Sequence, residues 1–305
     1  MNINPADVKR TIQDEDDFGH EMRVGSIFSE HEELNNDVYE PTAIEKVEHG
    51  GTYTDPSLGK PRQFDYRCQI RRYAAGGRRE NFKCVALAVE CKNLHASSPL
   101  VICGRPRTED EAFHNFIESG YDEPSKRLSW VTKRAKGYRS SDTIYPPHEF
   151  VGKSLVRLKK ANGGLKTDSQ SDVYDKWSQA VQSSVELAEE ASQTAIKNNY
   201  KRVSTLILPV VVVPNETLWM ASYSENGTIT EDPAKVDQCE FFLGRKIESG
   251  TLKERSLLVL THIHFVTIKG FADFLSGFLK PESDARSLEY KWSKFFPFGS
   301  EDMTF

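Results

Sequence analysis

The run Lys83-Cys84-Val85-Ala86-Leu87-Ala88-Val89-Glu90-Cys91-Lys92 constrains the fold more than any other stretch of the chain. It is apolar on both faces until its charged end, the pattern of a central strand covered on both sides. The preceding segment, residues 64–73, alternates Tyr66, Cys68 and Ile70 with Asp65, Arg67, Gln69 and Arg71, the period of a half-buried strand. Between the two lies Ala74-Ala75-Gly76-Gly77-Arg78-Arg79, so the pair reads as a hairpin. A turn centred between Gly77 and Arg78 puts Asp65 directly opposite Glu90, and neighbours so placed have Cβ atoms about 5 Å apart. Lys92, two residues on, points to the face of Glu90. A bulge would shift this register by one.

The other elements follow from periodicity. Residues 19–35 read as a helix with Val24, Ile27, Phe28 and Leu34 on one stripe. Glu21 shares that stripe, and a carboxylate on an apolar face needs a partner. Residues 43–49 suggest a first strand, and 50–62 a turn-rich connection. Residues 94–168, rich in Ser, Arg and Lys, read as irregular, with one or two short helices and a mobile loop. Residues 172–198 make the strongest helix, its stripe formed by Val173, Trp177, Ala180, Val181, Ser184, Ala188, Ala191 and Ala195. Strands are expected at 205–213, 218–223, 239–243 and 256–268, and a short apolar helix at 271–279. This order implies one α/β domain, helices lying on both faces of a central mixed sheet. Its expected organisation is an acidic segment at 1–17, a single domain at 18–280 with a polar insertion at about 94–168, and an aromatic tail at 281–305.

Charge is unevenly distributed. The 305 residues carry a formal net charge of −5, which excludes a polybasic nucleic-acid coat. Residues 1–59 hold 14 acidic against 4 basic side chains, whereas residues 60–107 hold 3 against 11. Residues 126–160 are again basic, 10 against 2. Such blocks allow a local positive groove, and equally a solvated surface of alternating sign. The five cysteines include no CxxC pair, against a disulfide framework or a structural zinc site. The polar, acidic N-terminus has no signal-peptide core, and the longest apolar run, residues 206–213, is too short for a bilayer. The expectation is a cytoplasmic protein with no membrane association.

Two carboxylates facing one another across a hairpin repel unless a cation lies between them. Oxygen ligation favours a hard divalent ion, Mg²⁺ or Mn²⁺. A lysine beside its bound water can orient that water and neutralise charge developing on a phosphate. These are the parts of metal-assisted phosphodiester hydrolysis. Bland pairing is the alternative: Glu90 with Lys92 on the surface, and Asp65 with Arg67 or Arg71.

The run Asp55-Pro56-Ser57-Leu58-Gly59-Lys60-Pro61-Arg62-Gln63-Phe64-Asp65, followed by Val89-Glu90-Cys91-Lys92, resembles the PD-(D/E)XK, or restriction-endonuclease-like, nuclease superfamily. Gly19-His20-Glu21-Met22-Arg23-Val24 is similar to the helix that supplies an accessory glutamate in many members, and Leu208-Pro209-Val210-Val211-Val212 with Leu218-Trp219 to its closing strands. The resemblance spans residues 18–280, with its diagnostic residues in 18–94; Phe64 stands where the pattern has proline. It implies an α/β/α sandwich, metal ligands Asp65 and Glu90, the Cys91 backbone carbonyl as a further ligand, and Lys92 at the attacking water. Glu21 would be an accessory ligand or base, and the Cys91 thiol would point into the core. The implied activity is Mg²⁺-dependent endonucleolytic cleavage of DNA leaving a 5′ phosphate, of a bacterial restriction or anti-phage defence kind. The acidic balance adds the expectation of an activating protein partner, a homodimer or another trigger. A catalytically silent module of the same fold, binding nucleic acid or a protein, is the alternative from a different class; RNA cleavage is a third.

Other features carry less. Lys126, Arg127, Lys133, Arg134, Lys136 and Arg139, interleaved with Trp130 and Tyr138, can grip a phosphate backbone or form a solvated loop. His262 and His264 share one face of a strand but bring no third ligand of matching spacing. Gly59-Lys60 is no nucleotide cradle, since Thr54 stands at the leading glycine position and Pro61 follows the lysine.

Overall fold

The computed structural model describes residues 4–15, 17–34, 42–55, 59–73, 81–122, 127–136, 143–169, 171–198, 200–247, 258–279 and 292–297. In chain order the elements are α1 (Pro5–Glu15), α2 (Phe18–Leu34), β1 (Thr42–His49), β2 (Thr52–Asp55), β3 (Lys60–Gln63), β4 (Tyr66–Tyr73) and β5 (Asn81–Cys91). Next come β6 (Leu100–Pro106), β7 (Phe113–Asp122), β8 (Arg127–Lys136), β9 (Phe150–Ala161) and β10 (Gly164–Thr167). The chain continues through α3 (Ser171–Asn198), β11 (Arg202–Val213), β12 (Leu218–Ser222), β13 (Ala234–Lys235), β14 (Gln238–Lys246), β15 (Val259–Thr267) and α4 (Ile268–Leu279).

One large mixed sheet runs β1-β4-β5-β11-β15-β14-β9-β6-β12-β13, while β2 and β3 form a separate hairpin. Strand β5 is antiparallel to β4 and parallel to β11, which is parallel to β15. The other edge of β11 is shared: its first residues pair with β7 and its last with β15. Helices cover both faces. Ala86 and Ala88 of β5 pack in the layer with α3, where Ala180, Ala188 and Ala191 also lie, so small side chains on both surfaces let the helix sit close. Val85, Leu87, Val89 and Cys91 face the opposite layer with Val24, Ile27 and Phe28 of α2 and Phe271 and Leu275 of α4. The Cys91 side chain is thus fully buried in that layer.

Three sequence expectations need correction. Residues 94–168 hold strands β6 to β10, and no helix among the described residues. Charged side chains on the wet faces, as in Lys133-Arg134-Ala135-Lys136, dilute the apolar signal that marks a strand. Among its described residues the connection at 50–62 likewise holds regular structure: β2 and β3 pair, and Asp55 is buried against Arg62 at 2.9 Å. Strand β4 also departs from half-burial. Arg67 is 5 % exposed because α3 lies over it, and it donates to Ser183 Oγ at 2.9 Å and to Glu186. Part of the aromatic tail docks on its own domain, with Trp292 and Phe296 buried in the layer of α2 and α4.

Gly25 lets α2 approach β4. A Cβ there would stand 2.6 Å from Tyr66 Oη, whose hydroxyl donates to the Glu21 carbonyl at 3.0 Å. Alanine would gain about 1 kcal/mol in helix propensity against an overpacking cost of roughly 1–3 kcal/mol. Gly25→Ala is therefore expected to lower stability by on the order of 1 kcal/mol, read from the urea midpoint; an unchanged or higher midpoint would contradict this contact.

Candidate active site

Tyr66 pairs with Val89, so the next step of the ladder sets Asp65 against Glu90 as the hairpin register requires. Asp65 precedes the first residue of β4, and its Oδ2 accepts the Cys91 N–H at 2.7 Å, satisfying the end of β5. Both carboxylates are buried on the side of the sheet that α3 covers, Glu90 with no exposure at all.

The cation between them is Lys176. Its Nζ donates to Asp65 Oδ2 at 2.8 Å and Oδ1 at 3.1 Å, and reaches Glu90 Oε2 at 3.5 Å. Glu90 Oε1 is buried without a partner. Burial, reinforced by the neighbouring Asp65, drives the Glu90 carboxyl well above the usual range, and Lys176 offsets only part of this. For Lys176, burial opposes the charge, but Asp65 and Glu90 outweigh it and hold the ammonium protonated.

Sequence reasoning missed Lys176, although a signal was present. It lies three residues after Val173 and four before Ala180, on the inward stripe of its helix, where a charge needs a partner.

Lys92 pairs with two aspartates. Its Nζ lies 3.3 Å from Asp17 Oδ2 and 3.6 Å from Asp172 Oδ2. Asp17 starts α2, its carbonyl accepting from His20 and Glu21, while its carboxylate turns to the site and accepts the Asn93 N–H at 2.8 Å. Asp172, one turn before Lys176 on α3, also binds Arg157 at 2.7 Å. Neither aspartate stood out in the sequence, because each owes its role to a chain segment far away.

Glu21 points to His49, with Oε2 3.8 Å from Nε2. Burial raises its carboxyl, and Asp65 adds to this as a nearby like charge. Among the described residues no three His, Cys, Asp or Glu side chains are gathered to hold a metal ion. Asp65 and Glu90 are thus a pair. Their donor set still suits a hard cation: oxygen atoms only, one of them buried and unpartnered.

The basic stretch is part of a strand rather than a loop. Strand β8 lies three steps from β5, through β11 and β7, or about 15 Å across the sheet. Lys133 faces Glu118 at 3.8 Å, Lys136 faces Asp110 at 3.8 Å, and the Arg134 guanidinium sits 3.9 Å over the Phe113 ring. Arg127 belongs to β8, but Lys126, Arg139 and Tyr138 lie outside the described residues. Lys133, Arg134 and Lys136 thus find their partners away from the carboxylate pair.

His262 and His264 form a separate cluster. The Tyr145 ring stacks on His262 at 3.7 Å, its hydroxyl meets His264 Nε2 at 2.9 Å, and His114 lies edge-on to it at 6.0 Å. Burial lowers His114 to about 4 and His264 to about 3, and keeps His262 well below its ordinary value. These neutral rings support the fold above pH 6.5, and that contribution is lost as pH falls from 6.5 towards the folded values. Ring resonances of all three should hold their neutral shifts down to pH 5; titration near pH 6.5 would refute this.

No protein-family model, curated protein or solved structure matches the chain.

Proposed function

We propose that this chain is a metal-dependent nuclease that hydrolyses DNA phosphodiester bonds, with a restriction-endonuclease-like α/β/α fold and a role in bacterial restriction or anti-phage defence. One observation carries the reading: Asp65 and Glu90 are buried face to face at the end of a central hairpin, with a cation held between them. Asp65, Glu90 and the Cys91 carbonyl would hold Mg²⁺ or Mn²⁺, with Glu21 behind them. When bound, the ion supplies Lewis acidity to water and positive charge to the phosphate. Lys92 would orient the attacking water and stabilise charge on the phosphate once it leaves Asp17 and Asp172. The Cys91 N–H keeps Asp65 aimed inward throughout.

The acidic whole favours an enzyme that meets DNA through a partner, dimerisation or a trigger. Exposed apolar side chains near the N-terminus, Val8, Ile12, Phe18 and Met22, support a protein contact. The second reading, a silent module that binds nucleic acid or protein, draws on the pairing of Lys92 with aspartates and on Lys176 between the carboxylates.

The test is cleavage of supercoiled plasmid, linear duplex, single-stranded DNA and RNA with Mg²⁺ or Mn²⁺, wild type beside Asp65→Ala and Lys92→Ala, with EDTA as control. Metal-dependent cutting of DNA lost in both variants is the expected result. DNA binding without cutting, indifferent to EDTA and to Asp65→Ala, would favour the silent module.

A further inference from the structure

We propose that the Lys176 ammonium is a built-in cation standing in the divalent-ion position between Asp65 and Glu90, so that Mg²⁺ or Mn²⁺ enters only by displacing it. This rests on the reading of Asp65 and Glu90 as a metal site and concerns how that site is regulated. Lys176 Nζ bonds both oxygens of Asp65 and reaches one oxygen of Glu90. One positive charge faces two buried carboxylates, and the second Glu90 oxygen has no partner. A divalent ion would match both charges and bring ligand positions for the remaining oxygen, so the exchange has a chemical drive. The displaced side chain is equipped to leave: lysine carries its charge on a flexible four-carbon stem. Asp172 lies four residues before it on the same helix, the spacing at which side chains meet, and Asp17 is close enough to attract it. Arginine, rigid and forked, would not substitute. The site therefore opens above a threshold of metal, and the Lys176 stem sets that threshold.

Calorimetric titration with Mn²⁺ alone should be run on wild type, Lys176→Met, Lys176→Gln and Asp65→Ala. Removing the ammonium is expected to tighten Mn²⁺ binding by roughly tenfold or more, the factor by which a mostly closed site weakens its ligand. Asp65→Ala should abolish binding. In the wild-type protein, acetic anhydride labelling of Lys176, mapped by mass spectrometry, should rise several-fold with Mn²⁺ and stay constant in Asp65→Ala. Unchanged or weaker binding in both lysine variants, with binding still lost in Asp65→Ala, would overturn the displacement and leave the metal site standing. No Mn²⁺ binding by the wild type or either lysine variant would overturn both. Should the lysine variants fail to fold, wild-type labelling decides: Lys176 reactivity indifferent to Mn²⁺ overturns the proposal.

Discussion

Glu90→Gln is expected to lose DNA cleavage by about 10³-fold or more while the protein keeps or gains stability. The two halves have one cause. A bound divalent ion is worth several kcal/mol to the transition state, and each 1.36 kcal/mol is about tenfold in rate. Removing the charge that helps to hold the ion therefore forfeits about three decades. In the free protein the same charge is a burden. Glu90 is fully buried, one oxygen has no partner, and burial together with Asp65 drives its carboxyl upwards. An amide of the same shape removes that conflict, the trade expected where a site is built for function rather than stability. Plasmid cleavage under saturating Mn²⁺ and thermal unfolding without metal are the two measurements. Cleavage within tenfold of wild type would sink the assignment of Glu90; a large fall in unfolding temperature would show that the charge is structural.

Arg107→Met is expected to destabilise the fold by about 1–3 kcal/mol, the cost of leaving a partly buried charge without its partner, since the Glu240 side chain is 29 % exposed. Arg107 is 1 % exposed, donates to the Pro146 carbonyl at 2.7 Å, pairs with Glu240, and lies 5.4 Å from the Tyr145 ring centroid. Burial pushes Glu240 up to about 7 even though Arg107 opposes the rise. The folded state therefore holds the Glu240 proton more tightly than the unfolded chain does, and stability is lost as pH rises through about 7. Without Arg107 the deficit should be larger at pH 8 than at pH 5, where the carboxyl is neutral. Arg107→Met with Glu240→Met should recover most of the loss, because paired apolar side chains replace a buried ion pair at little cost. Denaturant midpoints at the two pH values test this. A deficit independent of pH, unrelieved in the double variant, would assign the role of Arg107 to packing alone.

Local periodicity read much of this molecule. The α2 stripe, the long α3 helix and the β4–β5 hairpin all follow from side-chain spacing, and the last two strands and α4 differ from expectation only at their ends. The facing of Asp65 and Glu90 was legible because a hairpin ties register to the position of its turn. Strands β6 to β10 were not legible: several carry lysine and arginine on wet faces, and their stability comes from partners far along the chain. Strand β6, for example, pairs with β9 and β12.

The sequence by itself determined the carboxylate pair, the strand that buries it and the need for a cation there. Only the tertiary structure decided which cation answers. Lys92 is two residues from Glu90, yet it goes to Asp17 and Asp172, while Lys176, on a helix far along the chain, goes between the carboxylates. Spacing along a strand settles which way a side chain points, whereas charge pairing depends on what is buried beside it. Once α3 packs its small residues onto β5, the ammonium on its inward stripe has those two carboxylates to meet.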